Sequence, residues 1–274
     1  GLIPDLVGKD LVLSAVILES ISMNLTKVLG PIAGGALIPL IGVANCYALL
    51  SIIFVVQIGL LLRMPVPPHV VATRSVHPLQ YLADGWREMI RRQPIVGVLA
   101  ITVAANVFVF PYQQLLPIFA RDVLAAGPVG LGILGAGNGM GTLLGLVLLL
   151  RFGRPRRGGL TFIVGSVLMA TSLLGFAVST SYPLSLALLI ASGLGQSAFS
   201  AFQSTIILVS APDTLRGRAL SALTLAIGTA PFGLLEIGAV AAAVGAPTAL
   251  AVNTAVASLL IAGAAFVWPG LRRH

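Results

Sequence analysis

Three ionisable side chains, Glu19, Lys27 and Glu236, stand inside long apolar runs of this 274-residue chain. A charge surrounded by hydrocarbon is costly to keep, so such groups are candidates for function. A carboxyl desolvated by apolar neighbours has its pKa raised and can load and release a proton near neutral pH. Glu236, between Leu235 and Ile237, has the more isolated setting; for both Glu19 and Glu236 the competing reading is a carboxylate reached by water. Lys27 lies about two helical turns beyond Glu19, too far for a contact within one helix. It has two readings of equal standing. It pairs with an acid elsewhere or snorkels, or it binds an anionic substrate group or modulates a proton carrier.

Uncharged polar residues form stripes beside these groups. Gly193, Gln196, Ser200 and Gln203 recur at helical spacing, and so do Thr102, Asn106 and Gln113. Amides on an apolar wall suit a cavity for an amphiphilic organic molecule; the alternative is hydrogen bonding between helices. The cavity reading is preferred for the glutamines and the hydrogen-bonding reading for the serines. Asn24, Gly30, Pro31, Gly34 and Gly35 are the hinge motif. Proline removes one helical hydrogen bond, and glycines let another helix come close. A hinge, a tight seam and ordinary glycine packing all remain open, the last also illustrated by Gly137, Gly141 and Gly145.

The elements that carry these residues must lie in lipid. Hydrophobic residues make up 57% of the chain and charged residues 9%, against about 25% charged in a soluble domain. Eight runs reach the roughly 20 apolar residues of a transmembrane helix: 11–38, 44–63, 95–118, 128–150, 159–178, 183–209, 219–242 and 247–268. They lack the apolar–polar alternation of a membrane β-barrel, so the fold class is all-α, a polytopic membrane protein with eight transmembrane helices. The one cysteine, Cys46, rules out a disulfide framework, and His69, His77 and His274 lie outside the runs. No metal and no cofactor are expected. The string Gly135-Ala136-Gly137-Asn138-Gly139 follows no strand and is no dinucleotide fingerprint, and the chain carries no phosphate-binding Gly-Lys-Ser/Thr loop. No catalytic cluster appears, so the chain is not read as an enzyme.

The net charge of +8 is a matter of topology. Of the 16 basic residues, 14 fall on one side of an eight-span arrangement: Lys9, Arg63, Arg74, Arg87, Arg91, Arg92, Arg151, Arg154, Arg156, Arg157, Arg216, Arg218, Arg272 and Arg273. Arg121 alone lies on the other side. The positive-inside rule makes the basic side, and both termini of the chain, cytoplasmic. The partners expected are the lipid bilayer, a small-molecule substrate and protons; nucleic acid is not. The long connection 64–94 opens with Pro65, Pro67 and Pro68. It then reads as an interfacial amphipathic helix from Pro78 to Arg92, with Leu79, Leu82, Trp86 and Met89 on one face.

An internal repeat relates the beginning of the chain to its end. At an offset of 208, Pro4-Asp5 matches Pro212-Asp213, and the small residues from Gly30 to Gly35 match those from Gly238 to Ala243. After a five-residue gap, Gly42 matches Gly245 and Ala48 matches Ala251. The repeating unit is six helices in parallel orientation, a transporter plan with the substrate site between halves. The expected division is 1–64 as the last two helices of one half, 65–94 as a linker and 95–274 as a complete second half. Helices preceding this chain would then be needed for a full transporter.

These features resemble the major facilitator superfamily, in particular its bacterial efflux branch of macrolide-efflux-like and enterobactin-exporter-like proteins. The stretch Asn24-x-x-Lys27-x-x-Gly30-Pro31-x-x-Gly34-Gly35 is similar to the fifth-helix antiporter motif, with Thr26 where its leading glycine would stand. Arg151, Gly153 and Arg154 resemble the basic loop motif. Arg216, Gly217 and Arg218 look like the loop before the eleventh helix, and Leu115 to Arg121 fits the outer end of the seventh. The resemblance implies family helices five to twelve and proton-coupled export of a drug-like or siderophore-like compound across a bacterial inner membrane. It puts Asn106, Gln113, Gln196 and Gln203 on cavity-lining helices. The competing reading is a non-transporting remnant or a membrane packing subunit.

Overall fold

The computed structural model describes residues 12–63, 92–151, 157–212 and 215–273, with every side chain among them except those of 12–21, 23, 24 and 273. Among the described residues the chain is helical and has no strand. Helix α1 (Val12–Leu62) is interrupted at Gly42, so it consists of two arms. A second rod joins α2 (Gln93–Ala104), a π-helical segment at Ala105–Val109, α3 (Tyr112–Ile118) and a π-helical turn at Phe119–Val123. Then follow α4 (Gly127–Arg151), α5 (Gly158–Val178), α6 (Tyr182–Ser210), α7 (Arg216–Ile227), α8 (Ala230–Val244), α9 (Ala246–Val267) and the short α10 (Pro269–Arg273). Among the described residues seven stretches are long and apolar enough to cross a membrane; the first, Leu25–Leu62, runs through the break at Gly42 into both arms of α1, so the described rods match the eight expected spans. The linker helix expected at 78–92 falls almost wholly outside the described residues, as do Gly153 and Arg154.

In lipid every backbone group must be satisfied within the protein, which explains why the apolar runs are helices. Apolar side chains gain little by leaving lipid for one another, so the helices associate through close van der Waals contact. Glycines make that contact. A Cβ on Gly193 of α6 would lie 2.9 Å from the Cα of Gly141 in α4, and one on Gly137 would meet the Leu186 side chain at 2.9 Å. Between α5 and α6, a Cβ on Gly165 would meet that of Ala198 at 2.6 Å. Aromatic rings fill the centre: Phe162 stacks on Phe199 at 5.4 Å, and Phe119 lies 4.7 Å from Phe176. The first arm of α1 packs on α4, while α9 packs on α5 and α2.

Polar contacts fix the two ends. At one end Arg92 donates to the Ser210 carbonyl at 3.1 Å, Arg216 donates to the Leu208 carbonyl at 3.1 Å, and the Gly270 amide donates to Gln93 Oε1 at 3.0 Å. Arg92, Arg216 and Arg272 therefore share an end, as the charge pattern requires. At the opposite end the Tyr182 hydroxyl donates to the Gly130 carbonyl at 3.0 Å, and Arg121 pairs with Asp122 at 2.6 Å.

Two expected spans differ in detail. The run 95–118 extends to Val123 and contains π-helical turns, closed by the Phe110 amide on Ala105 O and the Leu124 amide on Phe119 O, both at 2.9 Å. Pro111 cannot donate to Val107 O, and its ring crowds that carbonyl, so the helix widens just before it. The run 219–242 is broken between α7 and α8 because Pro231 cannot donate to Ile227 O.

Gly42 and Gly245, matched in the internal repeat, have nearly the same backbone conformation: φ 78°, ψ 162° and φ 84°, ψ 155°. Only glycine occupies this region without strain. Each glycine separates two apolar rods with no loop between them, so a single residue makes the turn. Gly245→Ala is expected to destabilise the protein by about 1–3 kcal/mol, read as a lower unfolding temperature in detergent. Gly263→Ala, where a Cβ meets nothing within 4 Å, is expected to leave that temperature unchanged or slightly higher.

Candidate functional site

The first arm of α1 and the helix α4 run antiparallel across a seam of small residues. A Cβ on Gly35 would meet Gly132 Cα at 2.8 Å, one on Gly135 would meet Pro31 Cβ at 2.9 Å, and one on Gly139 would meet Lys27 O at 3.1 Å. Pro31 has no N–H, so Lys27 O lacks its usual helical donor, and Gly139 settles against that carbonyl. The same device recurs where Pro111 frees Val107 O. There Gly233 of α8 packs so closely that a Cβ would lie 2.7 Å from Val107 Cα.

A cavity of about 510 Å³ opens beside the seam, bounded by α1, α3, α4 and α6. Lys27, Gln113, Asn138 and Gln196 supply polar atoms to its wall, and Ile38, Leu116, Pro117, Pro128 and Leu131 supply apolar surface. A smaller cavity of about 380 Å³ shares Ile38, Pro117, Pro128 and Leu131 with it and reaches Arg121 at the end of the rod. Lys27, Pro31, Gly34 and Gly35 of the first arm thus face the cavity, whereas Leu25, Leu29 and Ile32 are exposed. In the second arm, 43–62, every side chain except the half-buried Cys46 is exposed.

The expected site residues divide into groups. Lys27, Pro31, Gly34, Gly35, Gln113 and Gln196 line the cavity. Within the hinge motif, Pro31 and Gly35 form the seam, while a Cβ on Gly34 or Gly30 would meet nothing within 4 Å. Asn106 and Gln203 stand apart from the wall. The Gln203 amide donates to Thr102 Oγ1 at 2.7 Å and the Asn106 amide donates to Thr102 O at 2.9 Å, all three residues being buried. The first is the interhelical hydrogen bonding that was the alternative for such residues; the second closes within one rod, four residues back. Arg151 and Arg216 are exposed and Arg218 is half-buried, with the open-faced Gly217 between the last two. The side chains of Glu19 and Asn24 lie outside the described residues.

Glu236 is half-buried on α8, and its Oε2 accepts a hydrogen bond of 2.6 Å from the amide of Asn253, a buried residue of α9. Glu236 does not touch the cavity, but Gly233, one turn before it, packs on the rod that carries Tyr112 and Gln113 to the cavity wall. Asn253 and Asn138 were missed in the sequence. The signal for each was a lone amide inside an apolar, small-residue run.

Apolar rods around a partly polar cavity are those of a multi-pass membrane protein. The family described as transmembrane secretion effector, within the major facilitator superfamily, matches residues 1–273, and the chain belongs to that family. Among curated relatives it is similar to the enterobactin exporters EntS of Shigella boydii serotype 18 and of Escherichia coli O1:K1. Each is 25% identical over 215 residues, covering 78% of this chain and 51% of the relative. The chain thus spans about half the length of the curated relatives it matches. Among solved structures, a bacterial homologue of the human lysosomal transporter Spinster, inward-facing and unoccupied, superposes with a TM-score of 0.61. It is 15% identical, over 96% of this chain and 73% of that one. At that identity the likeness concerns the fold.

The seam makes a direct test. Gly132→Val would drive a side chain into Pro31 O and Gly35, and is expected to lower stability by roughly 1–3 kcal/mol. Gly34→Ala, which has room, is expected to leave stability unchanged within about 0.5 kcal/mol. Thermal unfolding of both variants in the same detergent checks the contrast.

Proposed function

We propose that the chain is the translocating part of a secondary active transporter that exports a small amphiphilic organic compound by alternating access, coupled to protons. The cavity between α1 and the α3–α4–α6 group carries this reading. It is large enough for an organic molecule, mixed in polarity, and bounded by a seam in which helix backbones meet across glycines. The similarity to proteins named enterobactin exporters favours a siderophore-like cargo, drug-like compounds being the other group considered. The repeat supports the division into 1–64, 65–94 and 95–274, with the site between the two halves, and the matched turns at Gly42 and Gly245 are consistent with it. The gathering of Arg92, Arg216 and Arg272 at one end supports a bacterial inner-membrane protein with that end cytoplasmic.

Glu236 is the proposed proton carrier, and Asn253 positions its carboxylate. Glu19 is a second proposed carrier in the same first arm as Lys27. In the intact protein reconstituted into liposomes with an imposed pH gradient, Glu236→Gln is expected to abolish gradient-driven efflux. Expression and gradient-independent substrate binding should persist. Transport that still follows the gradient in this variant removes Glu236 from the mechanism.

A further inference from the structure

We propose that the cavity is selective for anionic amphiphiles, with Lys27 holding the anionic group; this rests on the exporter reading above and names its substrate class. The cavity is polarised along its length. In α1, Lys27 and Ile38 are eleven residues apart, a separation of roughly 16 Å along a helix. The antiparallel helix α4 repeats the order, because Gly139 lies against Lys27 and Gly132 against Gly35. Asn138 therefore shares the level of Lys27, while Pro128 and Leu131 share that of Ile38. Leu116 reaches to 3.9 Å of the Cβ position of Gly135, which puts Gln113, three residues earlier, one turn nearer the Lys27 level. Gln196 belongs to the same end, since its neighbour Ser197 packs on Gly145, beyond Asn138 in α4.

One end thus holds a cation and three amides, and the other is apolar. Among the described residues no Asp or Glu lines the cavity. Among the described side chains no carboxylate pairs with Lys27. An ammonium flanked by amide donors is suited to a carboxylate, sulfonate or phenolate oxygen, with the amides completing its hydrogen bonds. A cationic head at that end would face the like charge of Lys27, with no carboxylate among the described lining residues to compensate it. The apolar end takes a hydrocarbon or aromatic body of roughly 16 Å or less.

The test uses two dyes that share one aromatic body, 1-anilinonaphthalene-8-sulfonate and the uncharged N-phenyl-1-naphthylamine. Both are titrated into the intact protein in phosphatidylcholine nanodiscs, with empty nanodiscs as reference. Lys27→Gln is expected to weaken the sulfonate by about tenfold, the scale of a charged hydrogen bond, and to leave the neutral dye within about twofold. Lys27→Arg is expected to retain the preference. Equal effects on both dyes, or none on either, overturn the proposal, as does a wild-type protein that binds neither. If Lys27→Gln does not fold, octanoate and octanol are compared as displacers of the sulfonate from the wild type. Octanoate should act at lower concentration, and equal displacement overturns the inference. Dye efflux in proteoliposomes separates the two readings. Charge-selective binding without gradient-driven efflux sinks the exporter and spares the anion site. Gradient-driven efflux of both dyes at equal rates does the reverse.

Discussion

Close approach of helix backbones is the constraint on which this structure depends. Lipid offers helices no hydrophobic reason to associate, so they must touch along lines where nothing protrudes. The α1–α4, α4–α6 and α5–α6 contacts are all made through glycine, and a methyl group at most of these points would meet a neighbouring backbone or side chain. Two of the contacts, at Lys27 O and at Val107 O, exploit carbonyls that a proline four residues on has left without a helical donor. The proline weakens its own helix, and the glycine of the crossing helix occupies the space this leaves.

That arrangement has a functional consequence. On the proposed reading the glycine seam is where one helix shifts along the other, with Val28 and Pro31 the side chains that pack into it. The cavity lies beside such a seam, and Glu236 lies beside the other proline-linked contact, through Gly233. On the proposed reading the proton and the substrate bind at separate places. The rod of α2, its π-helical segment and α3 joins them: its π segment bears on α8 and its Gln113 on the cavity. A π-helical turn is a natural place for such a rod to change its twist, since its ladder is already out of α-helical register.

The sequence made the rods legible and left their interruptions obscure. Apolar runs and the absence of alternation were sufficient for eight helices, because in lipid composition alone decides the matter. Breaks at Pro111 and Pro231 were not foreseen, since proline is tolerated in membrane helices and its effect depends on which neighbour comes against the freed carbonyl. The site was half legible. Lys27 and Gln196 stand on the cavity wall because a polar group in an apolar run must face something other than lipid. The same argument could not separate Gln196 from Gln203: both satisfy it, one at a cavity and the other on the Thr102 hydroxyl. Asn253 escaped notice because its purpose lies on the neighbouring helix, in Glu236.

The proposal that the cavity serves the two membrane faces in turn is tested most directly by chemical access to its wall. With Cys46 replaced by serine, single cysteines at Asn138 and Gln196 are treated with a membrane-impermeant maleimide, applied separately to each face of vesicles holding the intact protein. The account expects labelling from either face, with the balance shifting when the pH gradient is reversed. Labelling from neither face, or from one face alone under both gradients, would contradict it.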